Sequence, residues 1–167
     1  MRRFARILLT RHETPVGLGS NVKAGIGAAL GMCFVGYLAS TTDLPLLLAP
    51  LGASSALLFG QPSSPLAQPL NVMAGFFISA VICEASFSLF PGVWIAAALS
   101  VGMAIVVMRA LRVTHPPACA LPILAFGNGL HGLQLFVVVL IGCLVLISLA
   151  IIVHNIPPRR EYPHRVE

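Results

Sequence analysis

The sequence predicts an all-α integral membrane protein with four long transmembrane helices and two short broken elements, arranged as two inverted three-element repeats. Three observations predict it. Apolar residues make up 57% of the 167-residue chain and charged residues 9%, with a mean hydropathy of +0.94. Soluble chains carry about 25% charge, so this surface is too poor in charge to face water and is expected to face lipid. Four apolar stretches are long enough to cross hydrocarbon, which takes roughly 20 helical residues. Between them lie two shorter apolar stretches interrupted by proline and glycine.

The long stretches are Val22 to Thr41, Leu70 to Phe90, Val93 to Leu111 and Leu130 to His154. The first short stretch runs from Leu44 to Gly60 with Pro45, Pro50 and Gly52; the second runs from His115 to Asn128 with Pro116, Pro117 and Pro122. Such interrupted backbone is tolerated at membrane depth only where protein or a cavity surrounds it. Residues 1–21 and 157–167 flank a single transmembrane domain, 22–156, whose expected repeats are 22–90 and 93–154. No cleavable leader is read at the start. The apolar patch Ile7-Leu8-Leu9 between Arg6 and Arg11 is too short for one, and a short interfacial helix from Phe4 to Thr10 is expected instead.

Basic residues set the expected topology. If all six elements cross, the ten Lys and Arg fall on one side of the membrane, at the N-terminal segment, at Arg109 and Arg112, and at the C-terminal tail. Cytoplasmic loops carry such an excess, so both termini are expected in the cytoplasm of a cell with this protein in its inner membrane. A weak internal echo agrees with inverted halves. Pro50 precedes Phe59-Gly60 by the same interval that separates Pro117 from Phe126-Gly127. Inverted repeats with paired broken helices recur in transporters, which bind substrate where the halves meet.

The breaks are the candidate site. In Pro50-Leu51-Gly52-Ala53-Ser54-Ser55 the break should leave helix-start N–H groups without partners, and Ser54 and Ser55 add hydroxyls. In Thr114-His115-Pro116-Pro117-Ala118 two prolines force extended backbone and then suit a first helical turn. Convergence of the two helix starts would hold a small anion without a full positive charge, the weak capture that a transported ion requires. Expected substrate contacts are Gly52, Ala53, Ser54, Ser55, Thr114, His115 and Ala118. Gln68 and Asn71 stand at the edge as either polar ligands or plain caps. His115 titrates near neutral pH and is a candidate for proton coupling, as is Glu84, the carboxylate inside a span. Packing serves as the alternative for the serines, backbone capping for His115, and an interfacial position for Glu84.

Other chemistry lacks support. Cys33, Cys83, Cys119 and Cys143 form no Cys-x-x-Cys pair and read as small packing residues, so neither a metal nor a disulfide framework is expected. No glycine-rich phosphate loop, zinc-protease run or nucleophile elbow occurs, and no spacing requires a Ser54, His115, Glu84 triad. The chain is therefore not expected to be an enzyme, to hold a cofactor or to bind nucleic acid. Two broken helices that must be shielded from lipid favour a homo-oligomer, a dimer or trimer.

The segments Ala49-Pro50-Leu51-Gly52-Ala53-Ser54-Ser55, Pro62-Ser63-Ser64-Pro65-Leu66-Ala67-Gln68-Pro69 and Thr114-His115-Pro116-Pro117-Ala118, in that order, resemble the HPP family of integral membrane proteins. Asn155 and Arg159-Arg160-Glu161-Tyr162-Pro163 resemble it more loosely. The family's His-Pro-Pro-Ala is often followed by Gly-Ala; this chain has Cys119-Ala120, which bears on pocket width. The resemblance implies a transporter-like protein usually described with four membrane-spanning helices, whose cyanobacterial and chloroplast members are linked to nitrite transport. Nitrite is accordingly the first expected substrate. A non-transporting scaffold or sensor subunit is the alternative.

Overall fold

The computed structural model describes Ile7, Leu9, Thr10 and residues 15–164. The expected helix from Phe4 to Thr10 lies largely outside them. Among the described residues the fold is all-helical: α1 (Leu18–Thr42), α2 (Ala49–Gly60), α3 (Pro69–Leu89), α4 (Trp94–Ala110), α5 (Leu121–Asn128) and α6 (Leu133–Asn155). Single 3₁₀ stretches precede α3, at Pro65–Ala67, and α5, at Pro116–Ala120.

Three helices are long and apolar enough to cross a membrane: α1 with 25 residues, α3 with 21 and α6 with 23. At 1.5 Å per residue these span roughly 31 to 38 Å against a hydrocarbon core of about 30 Å. The fourth expected span is shorter than its hydropathy suggests. Val93 is extended at φ −89° and ψ 108°, Leu111 is the C-cap, and α4 holds 17 residues, about 25 Å.

Contacts between helices fix their directions. Added methyl groups at Gly27 and Gly36 would meet Phe59 and Leu47, so α2 and the segment leading into it run back along α1. Gly31 faces Leu146, and Lys23 near the start of α1 reaches the carbonyls of Ile156 and Pro158 beyond the end of α6. The helices thus alternate in direction between two faces. One face gathers Lys23, Arg109, Arg112, Arg159 and Arg160, together with the 61–68 connection and residues 156–164. The other carries Asp43, the α3–α4 turn and the α5–α6 turn. We call the first the basic face.

The interior is sealed by Leu51, Leu58, Phe76, Leu121, Leu135 and Leu146, all fully buried. The outside is also apolar. Ile26, Leu30 and Phe34 on α1, Leu99 and Val106 on α4, and Leu144 and Ile152 on α6 are exposed. This surface suits lipid, where helix association depends on close packing because hydrocarbon offers no hydrophobic drive. Gly142 illustrates it: a methyl there would collide with Leu51 of α2.

Candidate functional site

The two proline-broken segments meet in the interior. Pro50 starts α2 from the extended Leu48, and the N–H groups of Leu51 and Gly52 both turn back to the Leu48 carbonyl, at 3.0 and 3.3 Å. These two amides are therefore not free for a ligand. The His-Pro-Pro segment departs further from expectation. His115 is extended (φ −135°, ψ 95°) and leads into a five-residue 3₁₀ stretch, with Ala118 N–H on the His115 carbonyl at 3.0 Å; α5 begins only at Leu121. Prolines at 116 and 117 cost a first turn no α-helical bond, but Pro122 has no N–H to donate back to the Ala118 carbonyl, so an α-helix cannot run unbroken from 116.

The side chains join where the backbones break. Ser54 Oγ lies 2.8 Å from His115 Nε2 and 2.9 Å from the Pro50 carbonyl, and His115 Nδ1 lies 2.8 Å from the Leu66 carbonyl. A carbonyl only accepts, so Nδ1 carries the hydrogen and donates to Leu66. In a neutral ring Nε2 then accepts from the Ser54 hydroxyl. Both residues are fully buried, at 0% exposure. Three elements clamp the ring: α2 through Ser54, the 61–68 connection through Leu66, and α3 through Phe76, with ring centroids 5.5 Å apart. Gly75 of α3 makes this possible, because a methyl there would stand 2.7 Å from the His115 Cβ.

The remaining predicted positions separate into neighbours and braces. Asn71 Nδ2 donates to the Thr114 carbonyl at 3.1 Å, tying the start of α3 to the His-Pro-Pro segment. Ala118 is fully buried beside it, in the apolar core. Ser55 donates to its own helix at Gly52, 2.8 Å away, and Ala53 faces outward. A methyl at Gly52 would meet nothing within 4 Å. Gln68 braces the connection: its Nε2 donates to Pro62 and Ser64 carbonyls at 3.0 Å each, and its Oε1 accepts from His164 N–H at 2.9 Å. Glu84 lies at the opposite face, where its Oε2 accepts from Gly132 N–H at 2.7 Å at the start of α6, a favourable place for a carboxylate. The structure does not bring Glu84 to the Ser54–His115 junction.

Sequence reasoning missed a second polar centre, at the basic face. His154, in the last turn of α6, is 3% exposed and places Nε2 2.9 Å from the Leu58 carbonyl. Its ring lies beside those of Phe59 and Tyr162. Tyr162 is itself buried, donates to the Ala67 carbonyl at 2.9 Å, and has its phenol pushed above the ordinary range by burial. Ala67 comes directly after Leu66, so the tail and the buried His115 grip adjacent carbonyls of one connection. A histidine ending a 23-residue apolar helix was the visible signal for this centre; the tail's return was visible nowhere in the hydropathy.

Among the described residues no cluster of three or more His, Cys, Asp or Glu side chains is arranged to hold a metal ion, and the four cysteines are unpaired.

Similarity to known proteins agrees with this anatomy. The chain is 31% identical over 137 residues to one transmembrane protein of Dictyostelium discoideum, covering 72% of this chain and 45% of that protein. It is 35% identical over 125 residues to a second from the same organism, covering 70% of this chain and 40% of the relative. The chain thus spans less than half the length of these curated relatives. No solved structure matches it. The profile described as "HPP, transmembrane region" matches residues 13–163, which include both broken segments, the Gln68–Asn71 connection and the returning tail. The chain belongs to the HPP family of transmembrane proteins.

Proposed function

We propose that the chain carries a small monovalent anion across the membrane, nitrite first, and that the Ser54–His115 junction is its control point. The observation that carries this reading is a fully buried hydrogen-bonded pair of side chains linking the two proline-broken segments. Buried polar groups at membrane depth are costly and tend to mark pathways. Ser54 and His115 are both fully enclosed, so the arrangement is a closed one; passage requires α2 and the His-Pro-Pro segment to part, exposing Ser54, His115, Thr114 and Asn71 to the anion.

Hydrogen counting supports proton coupling through His115. The junction has three short contacts, Ser54 to Pro50, Ser54 to His115 and His115 to Leu66, but a neutral histidine and a serine bring two hydrogens. Protonation supplies the third: Nε2–H then donates to Ser54, which donates to Pro50. The groups that meet the ring, Ser54, the Leu66 carbonyl, Gly75 and Phe76, carry no charge. Glu84, engaged at the start of α6, is assigned a capping role in this reading.

The wider reading follows from the alternating helices. In this reading the three long helices and the shorter α4 cross with the two short elements as halves of opposite orientation, 22–90 and 93–154, and the basic face lies in the cytoplasm, with the inner membrane as location. The exposed apolar faces of α1 and α4 suit a homo-oligomer. The reading needs no cofactor and no catalysis. A non-transporting scaffold or sensor subunit is the second reading, and the absence of solvent exposure at the junction favours it.

Flux decides between them. Purified protein in liposomes is expected to pass nitrite, with uptake reduced by His115→Ala and Ser54→Ala at normal expression. A protein that passes no nitrite, nitrate, formate or chloride leaves the scaffold reading standing. Proton coupling predicts that an imposed pH gradient drives uptake by the native protein and not by the His115→Ala variant.

A further inference from the structure

A cavity of about 700 Å³ opens at the basic face between the start of α1, the end of α2 with its onward connection, and the returning tail. Its volume lies within the range of small-molecule sites, roughly 300 to 1,000 Å³, and far exceeds a triatomic anion. Its walls include Lys23, Arg160, His154 and the hydroxyl-bearing Ser20, Ser63 and Ser64. Among the described residues no acidic side chain lines it; Glu161, the next residue along the tail, is not in its wall.

Among the described residues the wall sets no carboxylate beside these cations. Lys23 Nζ donates to the carbonyls of Ile156 and Pro158, at 2.6 and 2.8 Å, which leaves one ammonium hydrogen. Arg160 Nη2 donates to Ser20 Oγ at 3.3 Å, leaving most of its planar donor set. The two cations lie close enough to repel each other, and both repel a charged His154. His154, in the same wall, offers a phosphate no hydrogen. Its Nε2–H is directed to the Leu58 carbonyl, while Nδ1 is buried without a hydrogen-bond partner in a residue 3% exposed.

We infer that this cavity binds a phosphate group, held by Lys23 and Arg160 with hydroxyl support from Ser20 and the Ser63-Ser64 turn. A phosphate brings at least one negative charge and several acceptor oxygens to two cations and a set of neutral donors, a match that a nitrite ion in so large a space does not make. At the membrane edge the group belongs either to a free phosphate solute or to an anionic lipid headgroup, the usual occupant of basic pockets at this depth. The site is separate from the Ser54–His115 junction and does not depend on the transport reading.

The full chain in phosphatidylcholine nanodiscs is titrated with inorganic phosphate and followed by phosphorus-NMR line broadening. In parallel, native mass spectrometry compares retention of phosphatidylglycerol with that of phosphatidylcholine. Binding is expected in at least one arm: the first identifies a solute phosphate, the second a headgroup. Lys23→Gln and Arg160→Gln should each weaken it about tenfold, the effect of one charge-assisted contact, while Lys23→Arg retains it. His115→Ala should leave it unchanged, so failure here and failure of nitrite flux are distinct results. Absence of both signals in the native protein, equal binding by both glutamine variants, or equal weakening by His115→Ala overturns the inference.

Discussion

The two proline breaks carry similar residues yet fold differently. Pro50 stands alone, so Leu51 and Gly52 offer N–H groups to the Leu48 carbonyl and a regular α-helix of 12 residues forms. Pro116 and Pro117 stand together and Pro122 follows without an N–H for the Ala118 carbonyl, so the chain begins with a 3₁₀ stretch and becomes α-helical only at Leu121, with eight residues left before Gly129 takes a left-handed conformation. The first break presents a side chain from a rigid helix; the second presents His115 from extended backbone held by its neighbours. A doubled proline therefore makes a clamp that depends on tertiary contacts, whereas a single one starts a helix that can position a serine by itself.

The largest expected effect falls on the clamped side. His115→Ala removes the contacts to both Ser54 and Leu66, and nitrite uptake in liposomes should fall by about tenfold or more, the equivalent of at least one lost buried contact. Equal effects of His115→Ala and of an exposed-face change such as Ala53→Ser would break the comparison. Next comes Gly75, whose added methyl would press on the His115 Cβ at 2.7 Å, an atom that a rotamer change cannot move away. Gly75→Ala should cost about 1–3 kcal/mol in detergent unfolding. Gly52→Ala on the first break meets open space and should be neutral, or stabilising by up to about 1 kcal/mol. Ser54→Ala leaves His115 Nε2 buried and unpaired, a loss of about 1–3 kcal/mol in the same assay. The smallest loss belongs to Asn71→Ala, which removes one bond to the Thr114 carbonyl, about 0.5–1.5 kcal/mol.

Two residues of the junction, Ser54 and His115, were legible in the sequence. Ser54 and His115 stood out because proline breaks inside apolar stretches need a reason, and the two side chains do meet. The roles of their neighbours were less legible. Ser55, Gln68 and Glu84 are polar residues near breaks or span ends, yet their side chains are engaged with backbone groups of their own connections or of a facing helix start. Polar residue type and spacing do not tell which partner a side chain will find. His154 and Tyr162 were missed because their importance comes from a tail that returns across the basic face, and no periodic pattern announces a return.

The amino-acid sequence by itself determined that this chain is helical and built for lipid, because an apolar, charge-poor composition in long unbroken stretches has no other stable arrangement. It also determined where the backbone must break, since proline lacks an N–H. Only the tertiary structure decided what the breaks do. The Ser54–His115 bond joins residues 61 positions apart, and Leu66 reaches His115 across 49. Which buried donor meets which acceptor depends on helix direction, depth and close approach at glycines such as Gly75, and those are properties of the packed bundle.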